Sequence, residues 1–402
     1  MNEFYLVINC GSSSLKFSLY EMPNEKVISK GYIEKIGNSD SFWNISYNDK
    51  KINGASYLKD HTDAVNVMVD ELIKNEIIKD MNEIKGIGHR VLHGGELYSD
   101  SVLIDDKVLN DIVDMTNLGP LHHPGEIAGI KAMQKCLPNT LQVAVFDTAF
   151  HQTMPKYNYI YAVPYEWYKN FKVRRYGFHG TSHKYITSVM QEKLGKKDVN
   201  LIICHVGSGA SVTCVKDGFS FDTSMGLTPL DGLVMGTRSG SIDPSIIKFV
   251  VDEGKYTLDY VMNELNKNSG LKGICGKNDF RDMMNLINEG DEQAKLAYDI
   301  FMDSIIKHIA EYYFELEGKV DAIVFTAGIL ENNTTIREYI INKISGAMNI
   351  FVDMDMNDNI GYGHELKEGI ITKEESNIPV YVVPTNEEVM IVRDTYKIIK
   401  EA

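Results

Sequence analysis

An α/β fold divided between two domains is predicted by three features of the sequence. They are its length, the alternation of short β-prone runs with amphipathic helical stretches, and a strand–turn–strand device that occurs twice. At 402 residues the chain exceeds what one hydrophobic core sustains, because single cores stop growing near roughly 250–300 residues. Tyr5–Asn9 is a short apolar run that breaks into Gly11 and three serines before Leu15–Tyr20 resumes strand character. The same grammar returns at Val199–Cys204, which runs into Gly207-Ser208-Gly209-Ala210-Ser211 and then Val212–Val215. Two such hairpins about half a chain apart suggest duplication. Further buried strands are expected at Gln142–Phe146, Ala322–Phe325 and Val380–Val383, each ending in a polar or glycine-rich turn. Helical periodicity is clearest at Ala64–Ile78, Glu126–Lys135, Thr257–Leu265 and Gln293–Leu316. Strands alternating with helices of this kind make an α/β protein. No Pro/Ser-rich linker marks the boundary, which must come from the motifs.

Composition narrows the function. With 44% hydrophobic and 10% aromatic residues the chain buries enough apolar surface to fold throughout. A formal charge of −15 argues against a surface that wraps nucleic acid or an anionic membrane, so an anionic ligand has to be held by local basic groups. The five cysteines stand singly, without a Cys-x-x-Cys pair, and indicate neither a disulfide framework nor a zinc ribbon. A reducing compartment fits them. The beginning of the chain lacks a basic segment, and no apolar run approaches the ~18 residues of a membrane span. A soluble, non-exported protein is expected.

The turns carry the chemistry. Asn9-Cys10-Gly11-Ser12-Ser13-Ser14-Leu15-Lys16 offers clustered backbone N–H groups, hydroxyls and one ammonium to an anion, phosphate being the natural guest. His205-Val206-Gly207-Ser208-Gly209-Ala210-Ser211 repeats the device. A third strand-to-glycine turn is expected where Thr326 runs into Ala327-Gly328-Ile329-Leu330-Glu331-Asn332. None of these is a P-loop, since Gly-x-x-x-x-Gly-Lys-Ser/Thr is missing from the chain. A Rossmann fingerprint is missing too, and His89-Arg90 is followed by Val91, not the aspartate of protein kinases. Asp353-Met354-Asp355-Met356-Asn357 imitates the start of an EF-hand loop, but Asp358 replaces the required glycine and His364 the closing glutamate. We expect a solvated loop there.

Six segments taken together carry a family resemblance: Asn9–Lys16, His89–Glu96, Phe146–His151, Tyr176–His183, Met235–Gly240 and Pro384–Glu388. In this order they resemble the acetate kinases, members of the acetate and sugar kinase, Hsp70 and actin superfamily. The resemblance spans essentially the whole chain. It implies two ribonuclease-H-like (actin-like ATPase) domains flanking a central cleft. The first would be residues 1–148 plus 385–402, closed by the C-terminal helix; the second, 149–384, would carry most nucleotide contacts. The implied activity is reversible transfer of the ATP γ-phosphoryl group to acetate, giving acetyl phosphate and ADP by direct in-line transfer. Alternatives are a propionate or butyrate kinase of the same family, or a non-catalytic nucleotide-gated binding protein of the superfamily.

Bringing a carboxylate to a phosphate requires fixed cations that do not titrate, which suits arginine. Arg90 and Arg238, both near glycines, are the candidates. By resemblance His179 donates a hydrogen bond to the group in flight and, with Arg238, stabilises the transition state. Asp147, at the end of a strand, orients Arg90 and the acceptor side. Arg90, Leu92, Leu121, Phe178 and Pro229 would bind the acceptor. Lys16, Ser12, Ser14, His205, Gly207, Ser208, Gly209, Asp279, Phe280, Arg281, Gly328, Ile329 and Asn332 would bind nucleotide. Asn9 and Glu387 would hold Mg2+, with Mn2+ an alternative, and Glu388 competes with Glu387 for that role. A cytoplasmic homodimer is also implied. Three departures stand out: Ser208 where the family has asparagine, Leu330 where it has glycine, and Leu121-His122-His123-Pro124 where it has Leu-His-Asn-Pro. Leu330 is expected to place a bulky side chain near the nucleotide.

Overall fold

The computed structural model describes residues 3–361 and 363–402. The chain forms two compact units, one of Met1–Gln152 with Asn386–Ala402 and one of Thr153–Thr385. Each is built on one sheet.

In the first unit the run expected near Tyr5 is β1 (Glu3–Cys10), and it pairs antiparallel with β2 (Ser14–Met22), which pairs antiparallel with β3 (Lys26–Glu34). On the other side of β1 lies β6 (Ile84–Val91), parallel to it, and then β8 (Leu141–Phe146), parallel to β6. The hairpin β4 (Phe42–Tyr47) and β5 (Lys50–Ala55) extends one edge, and β7 (Val102–Leu103) the other. The second unit repeats the wiring. β9 (Leu201–Val206), β10 (Ala210–Lys216) and β11 (Phe219–Thr223) form the antiparallel set. β12 (Ala322–Thr326) and β14 (Val380–Val382) follow in parallel, with β13 (Gly369–Ile370) at the edge. Each sheet therefore has three antiparallel strands in sequence followed by two parallel to the first. That is the ribonuclease-H-like order, and the two hairpins read from sequence are its seeds.

The parallel strands need cover on both faces. In the first unit helices His61–Lys74 and His123–Cys136 cover one face, where Leu6, Ile8, Met68, Leu72 and Met133 join one apolar core. Helix Glu387–Glu401 covers the other, approaching β6 so closely that a Cβ at Gly86 would sit 2.2 Å from Ile399 Cδ1 and one at Gly88 2.3 Å from Thr395 Oγ1. Glycine is needed at both positions for the docking of this helix.

Two expectations about local structure fail. The third strand-to-glycine turn is instead the start of a helix, Ala327–Asn332, entered directly from β12. The EF-hand imitation is not a solvated loop either: Asp353 caps the helix Met354–Asp358 through the Met356 N–H, and Asn357 is completely buried. The reason is Arg337, whose guanidinium is buried without exposure and bonds the carbonyls of Leu330, Glu331, Asn357 and Ile360 and the Asn357 side chain. A buried charge must have its donors satisfied, and Asn357 is drawn inward to do so.

Candidate active site

In the first unit β1 and β2 present the turn Gly11–Ser13, closed by the Gly11 N–H bonding the Ser14 carbonyl at 2.9 Å. Helix His123–Cys136 presses on this turn at Gly125, where a Cβ would lie 2.4 Å from the Gly11 carbonyl. The His61 ring donates to that same carbonyl at 2.9 Å. The turn is thus fixed from beneath, with Ser12 and Lys16 exposed and Ser14 partly so.

Arg90, on β6, meets Asp147, immediately after β8, because these strands are parallel neighbours. Its Nη2 donates to Asp147 Oδ2 at 2.6 Å and its Nε lies 3.1–3.2 Å from both oxygens. Asp147 is almost fully buried while the Arg90 side chain is a quarter exposed, and the bonds to Asp147 engage only Nε and Nη2, so Nη1 is left available. Asp147, then burial acting oppositely, then Glu387 set the Arg90 pKa, which moves up. Glu387, the first residue of the C-terminal helix, places Oε2 at 3.9 Å from Arg90 Nε, and burial raises its pKa from the ordinary value. The adjacent Glu388 points elsewhere, accepting from Ser18 at 2.8 Å and Lys30 at 2.8 Å. Only Glu387 therefore remains disposed toward Arg90. Asn9 stands near the end of β1, in register with Lys16. Leu92 is buried, its Cδ2 3.2 Å from where a Cβ on Gly119 would sit, whereas Leu121 is 62% exposed.

In the second unit His179 takes a left-handed backbone (φ 56°) at the head of helix Gly180–Leu194. Its Nδ1 bonds Ser211 Oγ at 2.9 Å, and the same hydroxyl bonds His183 Nε2 at 2.8 Å. The ring stacks on His205 at 4.2 Å, and His205 Nδ1 is held by Ser182. His183 therefore orients His179 through Ser211, a role that sequence spacing did not disclose. These contacts aim Nε2 at Gly209: a Cβ there would be 3.3 Å from His179 Nε2 and 3.7 Å from Arg238 Nη1. Arg238 Nη1 donates to the Pro229 carbonyl at 3.2 Å, and Arg238 makes no ion pair among the described residues. Burial lowers its pKa, yet an arginine stays cationic. A half-buried guanidinium without a carboxylate has the charge and donors that suit an anion. Phe178 is buried and Pro229 partly buried.

A cavity of about 420 Å³ in this unit is lined by Ser208, Asp279, Phe280, Arg281, Gly328, Ile329 and Asn332, together with Asn278 and Asn333, which the sequence reading missed. Asp279 caps the helix Phe280–Asn288 and pairs with the exposed Arg281. Leu330 does not line the cavity. It is fully buried, because helix Ala327–Asn332 turns that position into the core while exposing Gly328. Glu331, also missed, anchors this entry by accepting from the Ala327 N–H at 2.6 Å and the Thr385 N–H at 3.0 Å.

The model of the acetokinase family matches residues 4–393. An acetate kinase of Bacillus subtilis is 49% identical over 398 residues, covering 98% of this chain and 99% of that protein. Among solved structures, an acetate kinase of Porphyromonas gingivalis is similar at TM-score 0.93 and 40% identity, covering 99% of this chain and all of the other (100%). A propionate kinase of Francisella tularensis subsp. tularensis is similar at TM-score 0.92 and 43% identity, covering 98% of this chain and 99% of that one.

Proposed function

Because this chain belongs to the acetokinase family, we propose that it acts as an acetate kinase, moving the γ-phosphoryl group of ATP onto an oxygen of acetate to give acetyl phosphate and ADP. The observation that carries this reading is the pair of differently prepared arginines. Arg90 is clamped by Asp147 with one edge exposed, as suits a carboxylate acceptor. Arg238, unpaired with any carboxylate among the described residues, converges with His179 beside Gly209, as suits a phosphoryl group.

In the proposed step an acetate oxygen attacks the γ-phosphorus as the bond to the β,γ-bridging oxygen breaks, and ADP leaves with that electron pair. Arg90 holds the carboxylate; Leu92, Leu121, Phe178 and Pro229 receive its methyl end. Arg238 and His179 Nε2 stabilise the charge spread over the equatorial phosphoryl oxygens. Asp279, Phe280, Arg281, Gly328, Ile329 and Asn332 take the nucleoside side, and Ser12, Ser14, Lys16, His205, Gly207, Ser208 and Gly209 the phosphates. Asn9 and Glu387 supply few, hard oxygen donors, which fits Mg2+ or Mn2+ keeping most of its waters. When bound, such a cation neutralises phosphate charge.

A homodimer is supported by the exposed aromatic residues of the second unit, among them Trp167, Phe171, Phe249 and Phe314. A cytoplasmic setting agrees with five free cysteines and with the lack, among the described residues, of a helix long and apolar enough to cross a membrane. Trapping acyl phosphate with hydroxylamine, using ATP with acetate, propionate or butyrate, tests the reading. Acetate should be the preferred acid. Hydroxamate from propionate at higher kcat/KM would assign the chain to propionate, and none from any acid would refute kinase activity.

A further inference from the structure

Glu126 is a buried carboxyl group that the proposed reaction does not use. It lies in the first turn of helix His123–Cys136 and is 6% exposed. Its Oε1 accepts from the Leu92 N–H at 3.1 Å, while its buried Oε2 makes no hydrogen bond and stands 4.0 Å from His123 Nε2. His123 is completely buried, and its Nδ1 bonds the Ile112 carbonyl at 3.1 Å. A carbonyl can only accept, so Nδ1 carries its proton and the neutral ring turns the Nε2 lone pair toward Glu126.

We propose that Glu126 and His123 together hold one buried proton that keeps the acceptor side of this unit receptive to an anionic carboxylate, Glu126 being a positioning residue for Leu92 and a charge-setting neighbour of Arg90. The inference rests on the reading of a carboxylate acceptor. Arg90 already faces Asp147 at 2.6 Å and Glu387 at 3.9 Å. An ionised Glu126 would add a further negative charge to those already acting on Arg90 and weaken its hold on an anionic acceptor. With a proton on Oε2 the carboxyl still accepts from the Leu92 N–H through Oε1 and presents an O–H, not a lone pair, to Nε2 across 4.0 Å. With no proton, two lone pairs confront each other across the 4.0 Å gap.

The surrounding groups agree. Burial pushes the Glu126 pKa up to about 8, against the smaller opposing effects of the Leu92 N–H and Arg90, while Asp147 pushes it further up. Burial lowers the His123 pKa, so the ring does not supply a compensating positive charge. From β1 the neighbouring thiol is Cys10, pushed up to about 12 and neutral throughout the range concerned. His122, the residue at the N-cap of this helix, further disfavours the protonation of His123.

The test is the KM for acetate and for ATP measured from pH 6 to 9.5 at saturating Mg2+. The acetate KM should rise on the order of tenfold or more between pH 7 and 9.5, as expected for a like charge appearing in a buried site and acting on the arginine that holds the acceptor, with the ATP KM flat. Titration of Glu387, whose carboxyl group ionises as pH rises, would appear instead as a magnesium requirement that falls with pH. Glu126→Gln, a neutral isostere that can accept from Leu92 and present an N–H to Nε2, should bring the ratio of acetate KM at pH 9.5 to that at pH 7 within about twofold of one. His123→Phe removes the lone pair that the proton faces and should move the rise at least about one pH unit lower. A flat wild-type acetate KM overturns the inference, as does a Gln variant that keeps the rise. If Glu126→Gln does not fold, an unmoved rise in His123→Phe overturns the pair. Failure to form acyl phosphate at pH 7 would refute the kinase reading itself; an active enzyme with a flat profile refutes only this inference.

Discussion

Replacing Gly209 by alanine would separate the chemistry of the second unit from its stability. Gly209 does not have a positive φ, so alanine fits its backbone. The added Cβ would lie 3.3 Å from His179 Nε2, 3.5 Å from Cε1 and 3.7 Å from Arg238 Nη1. Only the first contact is tight, and a few tenths of an ångström relieves it. The folding cost should be below about 1 kcal/mol, or a Tm change of at most about 2–4 °C for a unit of this size. The methyl group, however, fills the space where both donors would reach one phosphoryl group. Loss of a single preorganised donor typically costs about 10²–10³-fold in kcat, and a displacement of about 1 Å alone can cost 10²-fold. We therefore expect kcat to fall at least about 10²-fold with Tm nearly unchanged. Hydroxamate formation at saturating ATP and acetate, alongside thermal denaturation, measures both. A kcat within about threefold of wild type at unchanged Tm would show that His179 and Arg238 do not act together beside Gly209.

Glu387→Ala should raise the Mg2+ concentration required for half-maximal activity steeply and Glu388→Ala weakly, since Glu388 is engaged by Ser18 and Lys30. Equal shifts in a magnesium titration would remove Glu387 from the metal site. Leu92→Ala should improve propionate and butyrate relative to acetate by roughly 10-fold or more in kcat/KM, one or two methylenes being worth about 1–3 kcal/mol in an apolar pocket. An unchanged acetate-to-propionate ratio would make Leu92 a core residue only. Arg337→Met should destabilise the second unit by about 3–5 kcal/mol, because the carbonyls of Leu330, Glu331, Asn357 and Ile360 lose their buried donor. Thermal denaturation reads this directly, and a Tm loss under about 2 °C would mean that water replaces the guanidinium.

Strands with continuous apolar runs and the serine and glycine turns after them were legible in the sequence, because hydrophobic periodicity and turn chemistry act over a few neighbouring residues. β1, β2, β9, β10 and β12 lie where those signals place them, and so do the helices beginning near Ala64 and Gln293. The separate segments holding Arg90, Asp147, His179 and Arg238 were also visible there. What the sequence left open is direction and partnership. Arg90 finds Asp147, 57 residues away, only because β6 and β8 are adjacent parallel strands. Glu387 and Glu388 are consecutive, yet helical rotation at the start of the last helix sends one toward Arg90 and the other toward Lys30. Leu330 turns inward because its segment is a helix rather than a turn, and Asn357 is buried because Arg337 needs its oxygens. His123 and Glu126 read as an ordinary helix start until burial leaves a carboxyl oxygen without a donor. Local patterning selects the elements, whereas desolvation in the packed core decides which polar side chains must meet, and that depends on strand order.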